Sequence, residues 1–173
     1  PGKNESMLII KTLAHSSTVI CELLVAVKSK MKLYVVSTAA SMKLVINYLN
    51  DYRVNVCCMN PSLLKILCDY MEKRNGTLVS LNVVYVSGAV LSRALLDKAK
   101  TILREVNIYN VYGLTECGPR VAAQTKTYSN TAGSVGKPLK GIILEIRDDR
   151  NVPIEGTEKG VIWVKTPTMF LRY

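Results

Sequence analysis

Residues 81–119 read LNVVYVSGAVLSRALLDKAKTILREVNIYNVYGLTECGP, and their periodicity decides the fold. Residues 81–86 and 106–111 are short β-branched runs, the signature of buried strands. Between them, residues 92–104 carry an apolar period near 3.6 and open on Ser92, a favourable helix N-cap. A strand, a helix and a second strand over residues 81–111 form a βαβ unit, whose strands must run parallel.

Upstream, the alternation continues. Residues 17–28 read as a buried helix, with Val19, Ile20, Leu23, Leu24 and Val27 at helical spacing. Residues 32–36 (KLYVV) form a strand, and residues 41–52 a helix with Leu44, Val45, Tyr48 and Leu49 on one face. Residues 54–58 are another short β-branched strand. Asn60-Pro61 then supplies an N-cap and a first-turn proline; that helix reaches about Arg74, where Asn75-Gly76 stops it. The expected class is α/β, a mainly parallel sheet flanked by helices, with strands apolar enough for burial on both faces.

Downstream, the texture changes. Residues 112–141 are rich in Gly, Thr, Ser and Pro and carry no helical period. Residues 141–147 and 160–165 read as strands around a turn-rich stretch containing Asp148, Asp149, Asn151, Pro153 and Gly156, a hairpin-like antiparallel pattern. The expected division is an α/β subdomain over residues 1–130 and a partial antiparallel β subdomain over residues 131–173. No internal repeat is visible.

Composition bounds the chemistry. The chain has 173 residues, 49% of them apolar and 21% charged, which excludes a disordered protein. Lys and Arg outnumber Asp and Glu by 23 to 13, a net charge of +10 that favours an anionic partner. The surplus is spread along the chain; its densest patch is only Lys28, Lys30 and Lys32. Five cysteines (Cys21, Cys57, Cys58, Cys68 and Cys117) form no CxxC pair, which fits reduced thiols in a cytoplasmic protein. His15 is the only histidine, so a multi-histidine metal site within the chain is excluded. Residues 1–10 lack a secretory-signal pattern, and Glu22, Lys28, Lys30 and Lys32 interrupt the longest apolar stretch too often for a membrane span.

Two strand-end loops stand where parallel α/β sheets bind ligands, beyond the strands' carboxyl ends. Ser87-Gly88-Ala89-Val90-Leu91 is small enough to let a flat ligand approach the backbone; it also reads as a tight strand-to-helix turn. Tyr112-Gly113-Leu114-Thr115-Glu116-Cys117-Gly118-Pro119 brings an aromatic ring, a hydroxyl and a carboxylate together within five residues. Tyr112 can stack on a base, Thr115 can donate to a phosphate oxygen, and Glu116 can ligate Mg²⁺.

This second stretch closely resembles the signature loop of the acyl-adenylating superfamily: acyl-CoA synthetases, luciferase-like enzymes and the adenylation domains of peptide synthetases. Three more segments match in the family's order. Ser87-Gly88-Ala89-Val90-Leu91 resembles its glycine-glycine-alanine-proline-leucine loop, with Ser87 and Val90 replacing a Gly and the Pro. Gly133-Ser134-Val135-Gly136-Lys137-Pro138 is similar to its glycine-x-valine-glycine-x-proline turn. Gly160-Val161-Ile162-Trp163-Val164, with Thr166-Pro167-Thr168 and Leu171-Arg172-Tyr173, resembles a later strand and loop. The resemblance implies that ATP or AMP binds with adenine between the Gly88-Ala89 backbone and Tyr112, beside Ser87 and Gly113. It implies further that Thr115 contacts the α-phosphate, that Glu116 holds Mg²⁺, and that these two residues are catalytic. The implied reaction joins a carboxylic acid to AMP and passes the acyl group to a thiol, that of coenzyme A or of a carrier protein.

Ala14-His15-Ser16-Ser17-Thr18 aligns with a family motif lining the acyl pocket, so His15 and Ser16, with Gly88 and Gly113, are the implied substrate contacts. Amino-acid-activating members usually place an Asp where this chain has Ser16. A neutral hydroxyl is a poor counter-ion for a desolvated ammonium, which favours a fatty, aryl or other carboxylic acid. His15 reads equally as a polar residue flanking a helix.

The family's Lys-bearing phosphate loop normally precedes the His15 region by some tens of residues. Its ribose-binding Asp, hinge and C-terminal domain with the catalytic Lys follow the last motif matched here. The motif order therefore implies an internal segment of a longer enzyme's large N-terminal domain, whose partners include the remainder of its parent chain, and which is inactive or nearly so by itself. Two other readings stay open: an amino-acid adenylation domain with an unusual pocket, and a non-catalytic basic α/β module that binds nucleic acid or a protein.

Overall fold

The computed structural model describes residues 5–128, 133–156 and 159–172. Two sheets account for the described strands. The larger has seven, in the order β2-β1-β3-β4-β5-β6-β7. These are Ser6–Ile9 (β1), Lys32–Val35 (β2), Val56–Met59 (β3), Val83–Val86 (β4), Asn107–Tyr112 (β5), Ala122–Ala123 (β6) and Lys137–Pro138 (β7). The first five pair in parallel, and β6 and β7 add antiparallel to the β5 edge. Ile143–Arg147 (β8) and Val161–Lys165 (β9) form a separate antiparallel ribbon. The expected α/β architecture with a following antiparallel unit is what the chain adopts. The division expected after residue 130 falls within residues 129–132, outside the described set.

Between the parallel strands run a first helix, α1, spanning Ser16–Thr18, a π-helical turn Val19–Leu23 and Leu24–Lys28, then Met42–Asp51 (α2), Pro61–Arg74 (α3) and Arg93–Ile102 (α4). The caps read from sequence are in place. Ser41, Asn60 and Ser92 each accept a hydrogen bond from the backbone N–H three residues on, at 3.3, 2.8 and 3.2 Å. Asn75 ends α3 in the left-handed region, at φ 44° and ψ 38°, as a short polar C-terminal residue can.

The core is asymmetric. On one face of the sheet, Leu8, Cys57, Met59, Val84, Val86 and Ile108 pack under Leu49 of α2, Leu64 and Leu67 of α3, and Leu96 and Ala99 of α4. On the other face a small cluster joins Met7 and Val56 to Ala26 of α1 and Met31.

Two readings change. Strand β1 lies inside the parallel sheet, between the edge strand β2 and β3, although no strand is expected from residues 6–9. Helix α1 turns a different face inward from the one its apolar spacing predicts. Thr18, Cys21, Glu22 and Ala26 are buried, while Ile20, Leu24 and Val27 are 47%, 53% and 63% exposed. The π turn rotates the helix between its two α-helical ends. The buried Glu22 carboxylate is made tolerable there by Lys11, whose Nζ lies 2.7 Å from Oε1.

Candidate active site

The carboxyl ends of β1, β4 and β5 open on one side of the sheet, and the loops that follow them enclose two adjoining cavities. The first, about 360 Å³, has Gly88, Ala89, Val90 and Leu91 on one wall and the end of β5 with Tyr112, Gly113 and Leu114 on another. Gly133 and Val135 close it. That third wall is tied to β5 through the Ser134 carbonyl, which accepts from the side-chain amides of Asn110 and Gln124, each at 3.0 Å. Its surface is mainly apolar backbone and small side chains, with one aromatic ring.

The second cavity, about 180 Å³, shares Gly88, Gly113 and Leu114 with the first and adds His15, Ser16, Ser17, Ser87, Thr115 and Pro119. Four hydroxyls therefore face a small space beside the aromatic one. The Ser16 and Thr115 hydroxyl oxygens are 3.1 Å apart, joining the start of α1 to the short 3₁₀ turn Thr115–Cys117. Because α1 begins here, the N–H groups of its first turn also favour an anion in this space. His15 sits at the N-cap position, exposed, with no capping hydrogen bond from its side chain.

Gly113 is forced by close approach. A Cβ there would collide with the Pro119 carbonyl and the Arg120 backbone. Gly88 is forced instead by conformation, at φ +92° with open space around it. The segment after β9 buttresses the turn: Phe170 N–H donates to the Glu116 carbonyl at 2.7 Å, and the Thr168 hydroxyl donates to the Cys117 carbonyl at 3.3 Å. Residues of the first three sequence motifs, together with Thr168 of the fourth, thus meet at one corner of the molecule; Tyr173, which ends the fourth motif, lies outside the described residues.

Glu116 is half-buried on this turn and lies outside the lining of either cavity. No cluster of three His, Cys, Asp or Glu exists among the described residues. One carboxylate beside several hydroxyls fits Mg²⁺, which takes one or two protein carboxylates and completes its octahedron with phosphate oxygens and water.

Sequence reasoning did not find a third and larger cavity, about 610 Å³, which meets the second at Thr115 and Pro119. Ile20, Cys21 and Val25 of α1, Tyr85, Arg120, Gln124, Leu139 and Thr168 are among its lining residues. Helical spacing in α1 could not separate a core face from a cavity wall. Beneath it, burial pushes the Glu22 carboxyl above its ordinary range despite the opposing pull of Lys11 and Arg120. Burial likewise raises the Cys58 thiol to about 12 and Tyr85 above its ordinary value. The described residues lining the three cavities include no Asp or Glu.

An apolar slot beside a hydroxyl-lined space, at the strand ends of a parallel sheet flanked by helices, stands where α/β folds of this kind bind their ligands. The chain matches the family model described as AMP-binding enzyme over residues 2–173, and it belongs to that family. It is 27% identical over 126 residues to a 2-succinylbenzoate–CoA ligase of Lactococcus lactis subsp. lactis, covering 72% of this chain and 25% of that protein. It is 30% identical over 124 residues to 4-coumarate–CoA ligase-like 6 of Oryza sativa subsp. japonica, covering 70% and 21%. Its fold superposes on a long-chain-fatty-acid–CoA ligase from Archaeoglobus fulgidus with a TM-score of 0.89 at 17% identity, over 99% of this chain and 36% of that one. For an O-succinylbenzoate coenzyme A synthetase from Bacillus subtilis, in complex with ATP and magnesium ion, the TM-score is 0.82 at 24% identity, over 98% and 34%. The chain spans about a quarter of the length of these curated relatives or less.

Proposed function

We propose that this chain forms part of an ATP-dependent, AMP-forming acid–thiol ligase, residues 1–130 supplying the nucleotide subdomain and residues 131–173 the start of a β subdomain. The observation that carries this reading is the pair of adjoining cavities that share Gly88, Gly113 and Leu114, one apolar with Tyr112, the other lined by hydroxyls. Adenine lies in the first, between the Ser87-Gly88-Ala89 backbone and the Tyr112 ring. The α-phosphate lies in the second, where Thr115 and Ser16 donate to its oxygens and hold phosphorus in line for an incoming carboxylate. Glu116 holds Mg²⁺, which neutralises phosphate charge when bound.

The acid enters past His15, Ser16, Gly88 and Gly113, with its apolar part in the large cavity beyond Thr115. With no carboxylate among the described lining residues, nothing there pairs a substrate ammonium, which favours a simple carboxylic acid over an amino acid. The acyl-adenylate then passes to a thiol, of coenzyme A or a carrier protein. Lys and Arg are absent from the described lining of the two nucleotide cavities, so a full triphosphate needs cations from elsewhere in the parent protein. This segment by itself releases little or no pyrophosphate. The five free thiols agree with a cytoplasmic setting, and among the described residues no helix is long and apolar enough to cross a membrane.

Calorimetric titration of the chain with AMP and ATP tests the reading. Saturable binding that Tyr112→Ala removes is the expected result. Salt-sensitive binding of DNA or RNA with no response to AMP would replace it with a nucleic-acid-binding module.

A further inference from the structure

The large cavity carries a charge that an ordinary fatty-acid pocket has no use for. Its lining is apolar at Ile20, Val25 and Leu139, and it opens at Thr115 onto the hydroxyl-lined space. On its wall stands Arg120, whose guanidinium carbon lies 5.1 Å from the centre of the Tyr85 ring, and Tyr85 lines the same cavity. Arg120 comes after the signature loop and lies outside every motif read from the sequence.

The surrounding charges leave this guanidinium available. Glu22, the buried acid whose field it shares, is held by Lys11 at 2.7 Å. Cys21 and Cys58 also lie in its field, and Cys58 is hydrogen-bonded to it as well; burial raises both thiols, so neither supplies a negative charge that would neutralise the guanidinium. Among the described residues, no carboxylate forms an ion pair with Arg120. A cation at an apolar wall, stacked on an aromatic ring and lacking a carboxylate, is a receptor for an anion; the fork of its N–H groups matches a carboxylate in particular.

We propose that the acid activated here is a dicarboxylic acid: one carboxyl presented at Thr115, an apolar spacer through the cavity, and a second carboxylate received by Arg120. The inference rests on the acyl-adenylate reading above. It assigns Arg120 as a specificity-determining residue, with Tyr85 as the platform that fixes the guanidinium plane.

The test compares two non-hydrolysable acyl-sulfamoyl adenosines of equal chain length, one ending in a methyl group and one in a carboxylate, with AMP as the control ligand. The carboxylate-ended analogue is expected to bind the wild-type chain at least tenfold more tightly. Arg120→Gln cuts that preference below threefold, and Arg120→Lys, which keeps the charge but loses the fork, retains part of it. The wild-type comparison stands even where a variant fails to fold. If AMP binds and the two analogues bind equally, the dicarboxylate inference is wrong and the adenylate reading survives. If neither AMP nor either analogue binds, both are overturned.

Discussion

The hydroxyl oxygens of Ser16 and Thr115 stand 3.1 Å apart although 99 positions separate them in the chain. One belongs to the first turn of α1 and the other to the 3₁₀ turn after β5, so the contact closes the hydroxyl-lined cavity across the sheet. A single net hydrogen bond of this kind contributes about 0.5–1.5 kcal/mol. Ser16→Ala and Thr115→Val are each expected to weaken AMP binding roughly 2- to 12-fold. If the two hydroxyls act on the phosphate as a unit, the double variant loses less than the sum of the single losses. Titration of the four proteins with AMP measures this, and strict additivity would show that the hydroxyls act separately.

The parts of this site that were readable in the sequence are those in which local chemistry and position coincide. Gly88, Tyr112 and Thr115 lie in loops directly after apolar strands, and the caps Ser41, Asn60 and Ser92 fix where helices begin. Strand β1 was not readable because its four residues, SMLI, three of them apolar, carry no period, and only pairing with β2 and β3 makes them a strand. The two-residue strands β6 and β7 are likewise products of pairing. The inward face of α1 was misread because a buried Glu22 is acceptable only with Lys11 beside it, a partner that spacing does not reveal. Arg120 was overlooked because the chain turns back at Gly118, with φ +77°, and sends the next residues into a cavity no motif describes.

Glycine replacements separate close approach from backbone strain. Gly88→Ala keeps open space around the new methyl but forces an alanine to φ +92°, a strain of about 1–3 kcal/mol. Gly113→Ala meets the Pro119 carbonyl and Arg120 backbone, neither of which can swing aside as a side chain does. The Gly113 variant is therefore expected to lose more stability than the Gly88 variant in urea unfolding. Equal losses would mean that the Pro119 segment yields freely.

Two carboxyls give stability opposite slopes with pH. Hydrogen bonds from Lys65 and then Lys98 hold Asp69 at about 2, below its ordinary 3.8. The unfolded chain therefore binds more protons in that window, and stability falls as the medium is acidified through it. Burial raises Glu22 above its ordinary 4.5, so there the folded chain binds more protons and stability falls as pH rises through the window above 4.5. Urea midpoints across pH 2–8 should pass through a maximum between these limbs. Glu22→Gln should flatten the upper limb, even though leaving Lys11 unpaired lowers the whole curve. An upper limb that keeps its slope in this variant would assign it to another group.

Glu116 belongs to the turn that carries Thr115, and Phe170 steadies that turn by donating to the Glu116 carbonyl at 2.7 Å. A lone carboxylate is a weak magnesium site in water. It becomes useful only when triphosphate oxygens supply the rest of the coordination sphere. Its role should therefore emerge with ATP and be nearly silent with AMP. Glu116→Gln keeps the shape of the side chain and removes its charge, so the backbone contact to Phe170 survives. In titrations with and without MgCl₂, the variant should lose about tenfold more affinity for ATP with magnesium than for AMP, and magnesium should no longer strengthen its ATP binding. Equal losses for both nucleotides would make Glu116 a support of the turn, and the metal would then have to be held by groups outside the signature loop.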